Sequence, residues 1–141
     1  MPLWDLYNLL DAVINSIDAD SGILSDEDIQ KLQHVTSDNT LRAALDIIDH
    51  ESVIHLKTYW GREYYEVHGS TSTYAIYIDL PSYMPVYCTC PAFSFSVLSS
   101  EDTIVCKHIL AVKVALRLGR CRTRNVKEQD IAASSFVKYE N

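Results

Sequence analysis

Apolar residues recur at helical spacing along the first third of the chain. Leu6, Leu10 and Val13 lie three or four positions apart within residues 3–17, which is typical of an amphipathic helix. A second helix is predicted to begin near Ser25, which is followed by acidic residues that favour a capped start. The apolar positions of a third helix share this spacing: Leu41, Ala44, Leu45 and Ile48. Residues 1–51 are therefore predicted to be helical.

The hydrophobic pattern changes near residue 52 to β-branched and aromatic residues that alternate with polar ones. Three such runs cover residues 52–60, 62–68 and 72–80, with glycine-containing turns between them. They predict a small three-stranded antiparallel meander. A further short strand, residues 86–88, is expected to follow the prolines at 81 and 85.

Helical spacing returns after the strands, from about Cys106 to Leu118, and Gly119 favours a left-handed end to that helix. A last, weaker helical pattern covers Val126 to Tyr139. We therefore predict an α+β fold in a single domain, residues 1–141. It comprises a helical part (1–51), a β-meander with a metal-binding finger (52–121) and a tail (122–141).

Four side chains with metal-binding chemistry form two tight pairs. Cys88 and Cys90 are separated by one residue, as are Cys106 and His108, and fifteen residues lie between the pairs. A turn after a strand can direct the first pair at one point, and the first turn of a helix can direct the second pair. Three thiolates and one imidazole suit tetrahedral Zn²⁺. The sequence therefore predicts a zinc site.

Four protein ligands would fill a tetrahedral shell, which indicates a structural metal and a protein that is not an enzyme. Cys121 is the remaining cysteine and is interpreted as a small core or surface residue, because nothing near it suggests an activating base. Two enzyme alternatives stay open but are disfavoured, because the cysteines are better explained as ligands. One is a thiol oxidoreductase that uses the Cys88 and Cys90 pair, and the other is a ubiquitin-ligase component.

The glycines are too far apart for a nucleotide-binding loop. Gly22, Gly61, Gly69 and Gly119 are the four glycines of the 141 residues, so neither a P-loop nor a dinucleotide fingerprint is present. The longest apolar run, Ile109 to Leu118, is much shorter than the ~20 residues of a membrane span. We therefore expect neither an ATPase site within this chain nor a membrane partner.

The arrangement of Cys88, Cys90, Cys106 and His108 resembles the SWIM zinc finger. Ala111 completes the Cys-x-His-x-x-Ala form of one branch, the SWIM subunits of the Shu complex. The resemblance assigns the four ligands to zinc and gives Ala111 a supporting role, as a small residue that lets the helix pack closely beside the metal. The same branch shares the run from Cys88 to Leu98 and the order of helices, strands and finger.

This resemblance also implies a function. It predicts a nuclear, non-catalytic subunit that forms a heterodimer with a RecA-like ATPase recombinase paralogue. Such a complex promotes recombinase filaments on single-stranded DNA during homologous recombination, DNA damage repair and meiosis. The single strand is expected to be contacted through the complex.

Charge is unevenly distributed along the chain, whose net charge is −7. Residues 1–51 are rich in acids, whereas residues 107–127 contain bases and no acid. Five of these bases are candidates for nucleic-acid contact: Lys113, Arg117, Arg120, Arg122 and Arg124. They support an alternative function, a stand-alone module that binds single-stranded nucleic acid. The other interpretation is a cationic helix end followed by a solvated tail, since no aromatic residue is interleaved with the bases.

The strands carry many aromatic residues, which could leave an exposed aromatic face for a partner or for nucleic-acid bases. The other interpretation is that they form the two sides of a half-buried sheet. The residues in question are Tyr59, Trp60, Tyr64, Tyr65, Tyr74 and Tyr77. Phe93 and Phe95 lie between the two ligand pairs. We expect both phenylalanines to wedge the finger against the sheet.

Overall fold

The computed structural model describes residues 3–69, 71–100 and 103–127. The helices in these ranges are α1 (Leu3–Asn15), α2 (Asp26–Val35), α3 (Asp38–Asp49) and α4 (Lys107–Leu118), with a π-helical segment at Phe93–Ser99. The strands are β1 (Val53–Thr58), β2 (Glu63–His68), β3 (Thr73–Tyr77), β4 (Tyr87–Cys88) and β5 (Arg122–Val126). The predicted α+β class, with helices before strands before the finger, is confirmed.

The helices α2 and α3 begin where serine side chains cap them. The Asp28 amide donates to Ser25 Oγ, and the Ser25 amide donates to the Asp28 carboxylate, so the capping box is complete. The Thr40 amide donates to Ser37 Oγ in the same way at the start of α3. Each such cap is typically worth about 1 kcal/mol, which fixes where these helices start.

The five strands form one mixed sheet in the order β4-β3-β2-β1-β5. The pairs β1–β2, β2–β3 and β3–β4 are antiparallel, which confirms the predicted meander. The last strand, β5, pairs in parallel with β1. Since parallel neighbours need a crossover connection, the chain between β1 and β5 has to cross the sheet, and α4 lies within that connection.

The predicted tail is wrong for residues 122–126, because they form β5. The pairing satisfies backbone groups along one edge of β1, and it leaves Val126 only 6% exposed. The prediction that a helix begins at Val126 is also wrong, because Val126 is the last residue of β5. The rest of that expected helix and of the tail, residues 128–141, lies outside the described residues.

The helix α4 lies at the centre of the molecule. It contacts β1, β2, β3 and β4 as well as α1 and α3. Because it has neighbours on most sides, eight of its twelve residues are buried, which exceeds the single apolar stripe of a surface helix. Its end is the predicted one: Gly119 adopts a left-handed conformation with φ of 69°. Central packing of this kind holds the first turn of α4, and therefore His108, in a fixed position.

None of the helices within the described ranges is long and apolar enough to span a lipid bilayer.

Candidate metal centre

Two elements bring the four predicted ligands together. Cys88 ends β4, and Cys90 follows it in the turn before the π-helical segment. Cys106 is the extended N-cap residue of α4, with φ of −87° and ψ of 172°, and His108 lies in the first turn of that helix. A strand end and a helix start therefore each contribute one pair of ligands, as the spacing predicts.

The ligand atoms form a compact, buried cluster. The three sulfur atoms and a ring nitrogen of His108 all lie within 4.8 Å of one another. The Nδ1 atom of His108 is 3.8 Å from Cys88 Sγ and 4.0 Å from Cys106 Sγ. The relative exposures of the four residues are 0% for Cys88, 2% for Cys90 and 6% each for Cys106 and His108.

These distances fit a tetrahedral zinc ion. Bonds of ~2.3 Å to sulfur and ~2.0 Å to nitrogen place neighbouring ligand atoms roughly 3.5–3.8 Å apart. The two separations of 3.8 and 4.0 Å need only a small contraction around the ion, and any pair near the 4.8 Å limit of the cluster needs about 1 Å. Three thiolates and one imidazole are the donor set of structural Zn²⁺, and His108 would bind through Nδ1. When bound, zinc crosslinks the end of β4 to the start of α4.

Neighbouring groups orient two of the ligands. The amide of Phe93 donates a hydrogen bond to Cys90 Sγ over 3.3 Å, which stabilises negative charge on that sulfur. The ring of Tyr74 packs against the imidazole of His108, with centroids 4.6 Å apart and planes inclined by 37°. Sequence reasoning missed both contacts. The contact made by Tyr74 depends on strand register, and the one made by Phe93 depends on the turn after Cys90.

The three thiols influence one another strongly in the absence of metal. Hydrogen bonds with the side chains of Cys106 and Cys88 lower the pKa of Cys90 well below its ordinary value of 9.0, so this sulfur is the natural thiolate. A hydrogen bond with Cys106 raises the pKa of Cys88. The pKa of Cys106 is lowered by its hydrogen bond with Cys88, but its hydrogen bond with Cys90 and burial outweigh this and raise it to about 11. Zinc must therefore displace protons, and its affinity falls in acid.

The two remaining residues with predicted roles near the metal occupy different positions. Ala111 is fully buried one turn beyond His108 on α4. Its supporting role stays a prediction that this position suits. Cys121 lies outside the four-residue cluster and is half-buried after α4. Burial raises the pKa of its thiol to about 11, so the thiol is protonated at neutral pH.

The candidate nucleic-acid residues on α4 are already engaged with α1 and the turn after it. Lys113 Nζ lies 2.8 Å from Asp11 Oδ1, and its side chain is 9% exposed. Arg117 donates hydrogen bonds to the carbonyl oxygens of Ile17 and Asn15, over 2.8 and 2.9 Å. Both side chains therefore help to hold the helical layer together. Their contact with nucleic acid stays a prediction.

The three candidates beyond α4 are more peripheral. Arg120 lies 3.7 Å from Asp49, and Arg122 lies 3.4 Å from Glu51, in ion pairs whose acidic partners are exposed. Arg124 is an exposed residue in the middle of β5. The predicted basic segment therefore divides into a structural part on α4 and a peripheral part, with Arg120 before β5 and both Arg122 and Arg124 on it.

The two phenylalanines of the finger behave differently. Phe93 is fully buried and makes an edge contact with Tyr87, with ring centroids 5.5 Å apart, so its predicted wedge role is confirmed. The same expectation for Phe95 is wrong, because its side chain is 69% exposed. Both residues belong to the π-helical segment, in which positions two apart point in different directions.

Comparison with known proteins agrees with this site. Residues 74–117, which include all four ligands, match the SWIM zinc finger family, so the strand, turn and helix described above form a SWIM zinc finger. The chain is similar to zinc finger SWIM domain-containing protein 7 from Mus musculus (38% identical over 112 residues, 79% of this chain and 70% of the relative). The Homo sapiens protein of that name is 35% identical over 79% of this chain and 76% of its own length. The chain belongs to the zinc finger SWIM domain-containing protein 7 family.

A further relative carries the same name. The protein from Danio rerio is 36% identical over 88 residues, which is 62% of this chain and 60% of the relative. No solved structure matches the chain.

Proposed function

We propose that this chain is a non-catalytic, nuclear zinc subunit of a heterodimer with a RecA-like ATPase recombinase paralogue. The heterodimer promotes assembly of recombinase filaments on single-stranded DNA in homologous recombination and meiosis. Family membership supports a zinc-binding SWIM module. The resemblance to the Shu-complex branch supports the recombination setting.

The observation that carries the proposal is the closed ligand set. Four buried protein atoms within 4.8 Å of one another satisfy a tetrahedral ion, so the bound metal keeps no position for substrate or for an activated water. The metal instead crosslinks β4 to α4. A protein organised in this way acts through its surfaces, and the ATP-dependent step of filament assembly falls to its partner.

The four well-separated glycines support the same division of labour. A phosphate-binding loop needs glycines in close succession before a helix, and this sequence has no such group. A RecA-like partner supplies that loop. The chain described here supplies a zinc-stabilised surface on which the partner docks.

Co-purification tests the proposal. Tagged chain is co-expressed with RecA-like paralogues, and we expect one of them to co-elute in a 1:1 complex that contains zinc. Cys88→Ser removes one ligand and abolishes co-elution. Cys121→Ser is the matched control, because the same substitution lies outside the cluster, and it leaves both co-elution and zinc content unchanged.

A second measurement follows the activity. The complex is expected to accelerate recombinase assembly on a single-stranded oligonucleotide, and the chain without its partner is not. The proposal fails if no RecA-like paralogue co-elutes with the wild-type chain. It also fails if Cys88→Ser, verified as zinc-free, pairs as the wild type does.

A further inference from the structure

One row of side chains crosses all five strands of the sheet. Tyr87 of β4 pairs in register with Tyr77 of β3, whose ring lies 5.7 Å from that of Tyr64 on β2. Tyr64 pairs with Leu56 of β1, and Leu56 pairs with Arg124 of β5. Three tyrosines, one leucine and one arginine therefore share a single line perpendicular to the strands. We call this line the tyrosine row.

The tyrosine row lies on the face of the sheet turned away from α4. Side chains alternate between the two faces of a strand, and the neighbours Tyr65 and Ile76 belong to the main core. Leu56 and Val126 are also buried, but they stand apart from that core cluster. The structure therefore has a second, outer sheet face, and the tyrosine row is its centre.

The rings of the row are partly accessible. Tyr64 and Tyr77 are of intermediate exposure, and Tyr87 is 43% exposed. The Tyr77 and Tyr87 centroids are 6.4 Å apart, with planes inclined by 41°. Trp60, in the β1–β2 turn, is 52% exposed and makes an edge contact with Tyr59.

The charge of this face differs from that of the whole chain. Arg124 stands at one end of the tyrosine row. A second row on the same face lies two residues along each strand, and in it Ile54 pairs with Arg122 on one side and with Glu66 on the other. Two arginines accompany one glutamate on these rows, in a chain whose net charge is −7. Because Arg122 also forms an ion pair with Glu51 over 3.4 Å, the cationic character of this face comes mainly from Arg124. The acid-rich segment, residues 1–51, forms the helical layer that packs with α4 on the opposite side of the sheet.

We propose that the outer sheet face binds single-stranded nucleic acid, with bases against the tyrosine row and phosphates at Arg124 and Arg122. Aromatic platforms flanked by cations are the usual means of holding an unpaired strand. A phosphate backbone requires cations beside the bases, and Arg124 provides one at the end of the tyrosine row.

Ring spacing favours a single strand over a duplex. Bases within one strand of a duplex rise by ~3.4 Å and are paired across the helix. The rings here are 5.7 and 6.4 Å apart, so bases that contact successive rings must be unstacked. An extended single strand meets that requirement, and a duplex does not.

The inference deepens the proposed function, because it names the residues of this subunit that would touch the strand on which the filament assembles. It does not require the partner. The basic segment contains no aromatic residue of its own, and the parallel pairing of β5 with β1 is what brings Arg124 into line with the tyrosines. A sequence scan of that segment therefore misses the site.

Fluorescence anisotropy with a labelled thirty-nucleotide oligo-dT and the full zinc-loaded chain tests the inference. We expect binding that weakens as salt rises, and weaker binding to a duplex of equal length. Tyr77→Ala lowers the affinity about 5- to 150-fold, the range for loss of one stacked base, whereas Tyr77→Phe keeps the ring and stays within about twofold. Arg124→Gln lowers the slope of log affinity against log salt by roughly 0.7, as expected for one lost phosphate contact on a single strand.

Matched controls distinguish binding at the tyrosine row from non-specific binding of the oligonucleotide elsewhere on the surface. Tyr83→Ala removes a tyrosine that is 78% exposed outside the row, and Lys31→Gln removes a cation of the helical layer; neither changes binding. Circular dichroism and zinc content verify that each variant is folded. The inference is overturned if the wild-type chain binds no oligo-dT at low salt, if it prefers the duplex, or if Tyr77→Ala and Arg124→Gln bind as the wild type does. It is also overturned if Tyr77→Ala abolishes co-elution of a RecA-like partner while oligo-dT binding persists, since the face would then dock protein.

Discussion

The hydroxyl of Tyr7 donates a hydrogen bond to the carbonyl oxygen of Ile104 over 2.8 Å, which joins residues 97 positions apart. Tyr7 belongs to α1 and is 2% exposed, and Ile104 lies two residues before the zinc ligand Cys106. The contact ties the first helix of the chain to the segment that leads into α4. Stability of the metal site and of the N-terminal helix are therefore coupled.

We expect Tyr7→Phe to lower the free energy of unfolding by about 1–2 kcal/mol. The substitution keeps the ring but removes the donor, so the Ile104 carbonyl loses its side-chain partner. Urea denaturation of the zinc-loaded chain measures the change. Tyr83→Phe is the control, since Tyr83 is 78% exposed, and it shifts the unfolding free energy by less than about 0.5 kcal/mol. Equal stability of Tyr7→Phe and wild type would contradict the coupling.

Alkaline pH should destabilise the fold through two buried phenols. Burial raises the pKa of Tyr7 and of Tyr65 from 10.0 to about 12 each. The unfolded chain loses these protons first, so the stabilisation is complete below pH ~10 and is lost as pH rises to ~12, by at most about 3 kcal/mol per residue. Urea denaturation midpoints measured between these pH values report the loss, and the midpoint of Tyr7→Phe should fall less steeply with pH than that of the wild type. A wild-type midpoint that stays constant over this range would contradict the prediction.

The ion pair between Lys113 and Asp11 is expected to contribute more to the stability of the fold than an exposed ion pair does. Lys113 is 9% exposed at its side chain, and its Nζ lies 2.8 Å from Asp11 Oδ1. Asp11→Ala leaves a largely buried cation without its carboxylate and should cost about 1–3 kcal/mol of unfolding free energy. Glu27→Ala breaks the exposed pair with Lys31 and should cost at most about 0.5 kcal/mol. Similar costs for the two variants would refute the distinction.

Metal removal should expose three thiols together. In the zinc-loaded chain only Cys121 reacts with a thiol reagent, and slowly, because burial raises its pKa to about 11. A strong chelator, or acid that protonates the ligands, releases zinc and brings the count to all four cysteines. Cys121→Ser lowers that count to three. Four rapidly reacting thiols before chelation would show that the cluster is not a metal site.

Sequence pattern was enough to predict the metal site and most of the elements. The ligands Cys88, Cys90, Cys106 and His108 are pairs separated by one residue, so local geometry alone directs each pair to a common point. The helix ends could be predicted for a related reason, because they depend on residues close in sequence. Ser25 caps the start of α2, and Gly119 adopts the left-handed conformation that ends α4.

Non-local pairing was not predictable in this way. The segment around Arg124 has no apolar alternation, and it becomes a strand only because β1 offers a free edge after α4 has crossed the sheet. The line from Tyr64 to Arg124 depends on that register, so neither the tyrosines nor the bases indicate it alone. Phe95 was misplaced because the π-helical geometry of its segment has no clear sequence signal.

The position of β5 has a consequence for how the protein is made. During synthesis β1 leaves the ribosome long before residues 122–126, and in that interval one of its edges can pair with another nascent chain. The strand β5 that covers this edge follows α4 in the chain, and zinc links the start of α4 to the end of β4. Without zinc, α4 lacks this link to β4, so we expect the edge of β1 to stay open for longer and the chain to aggregate more readily.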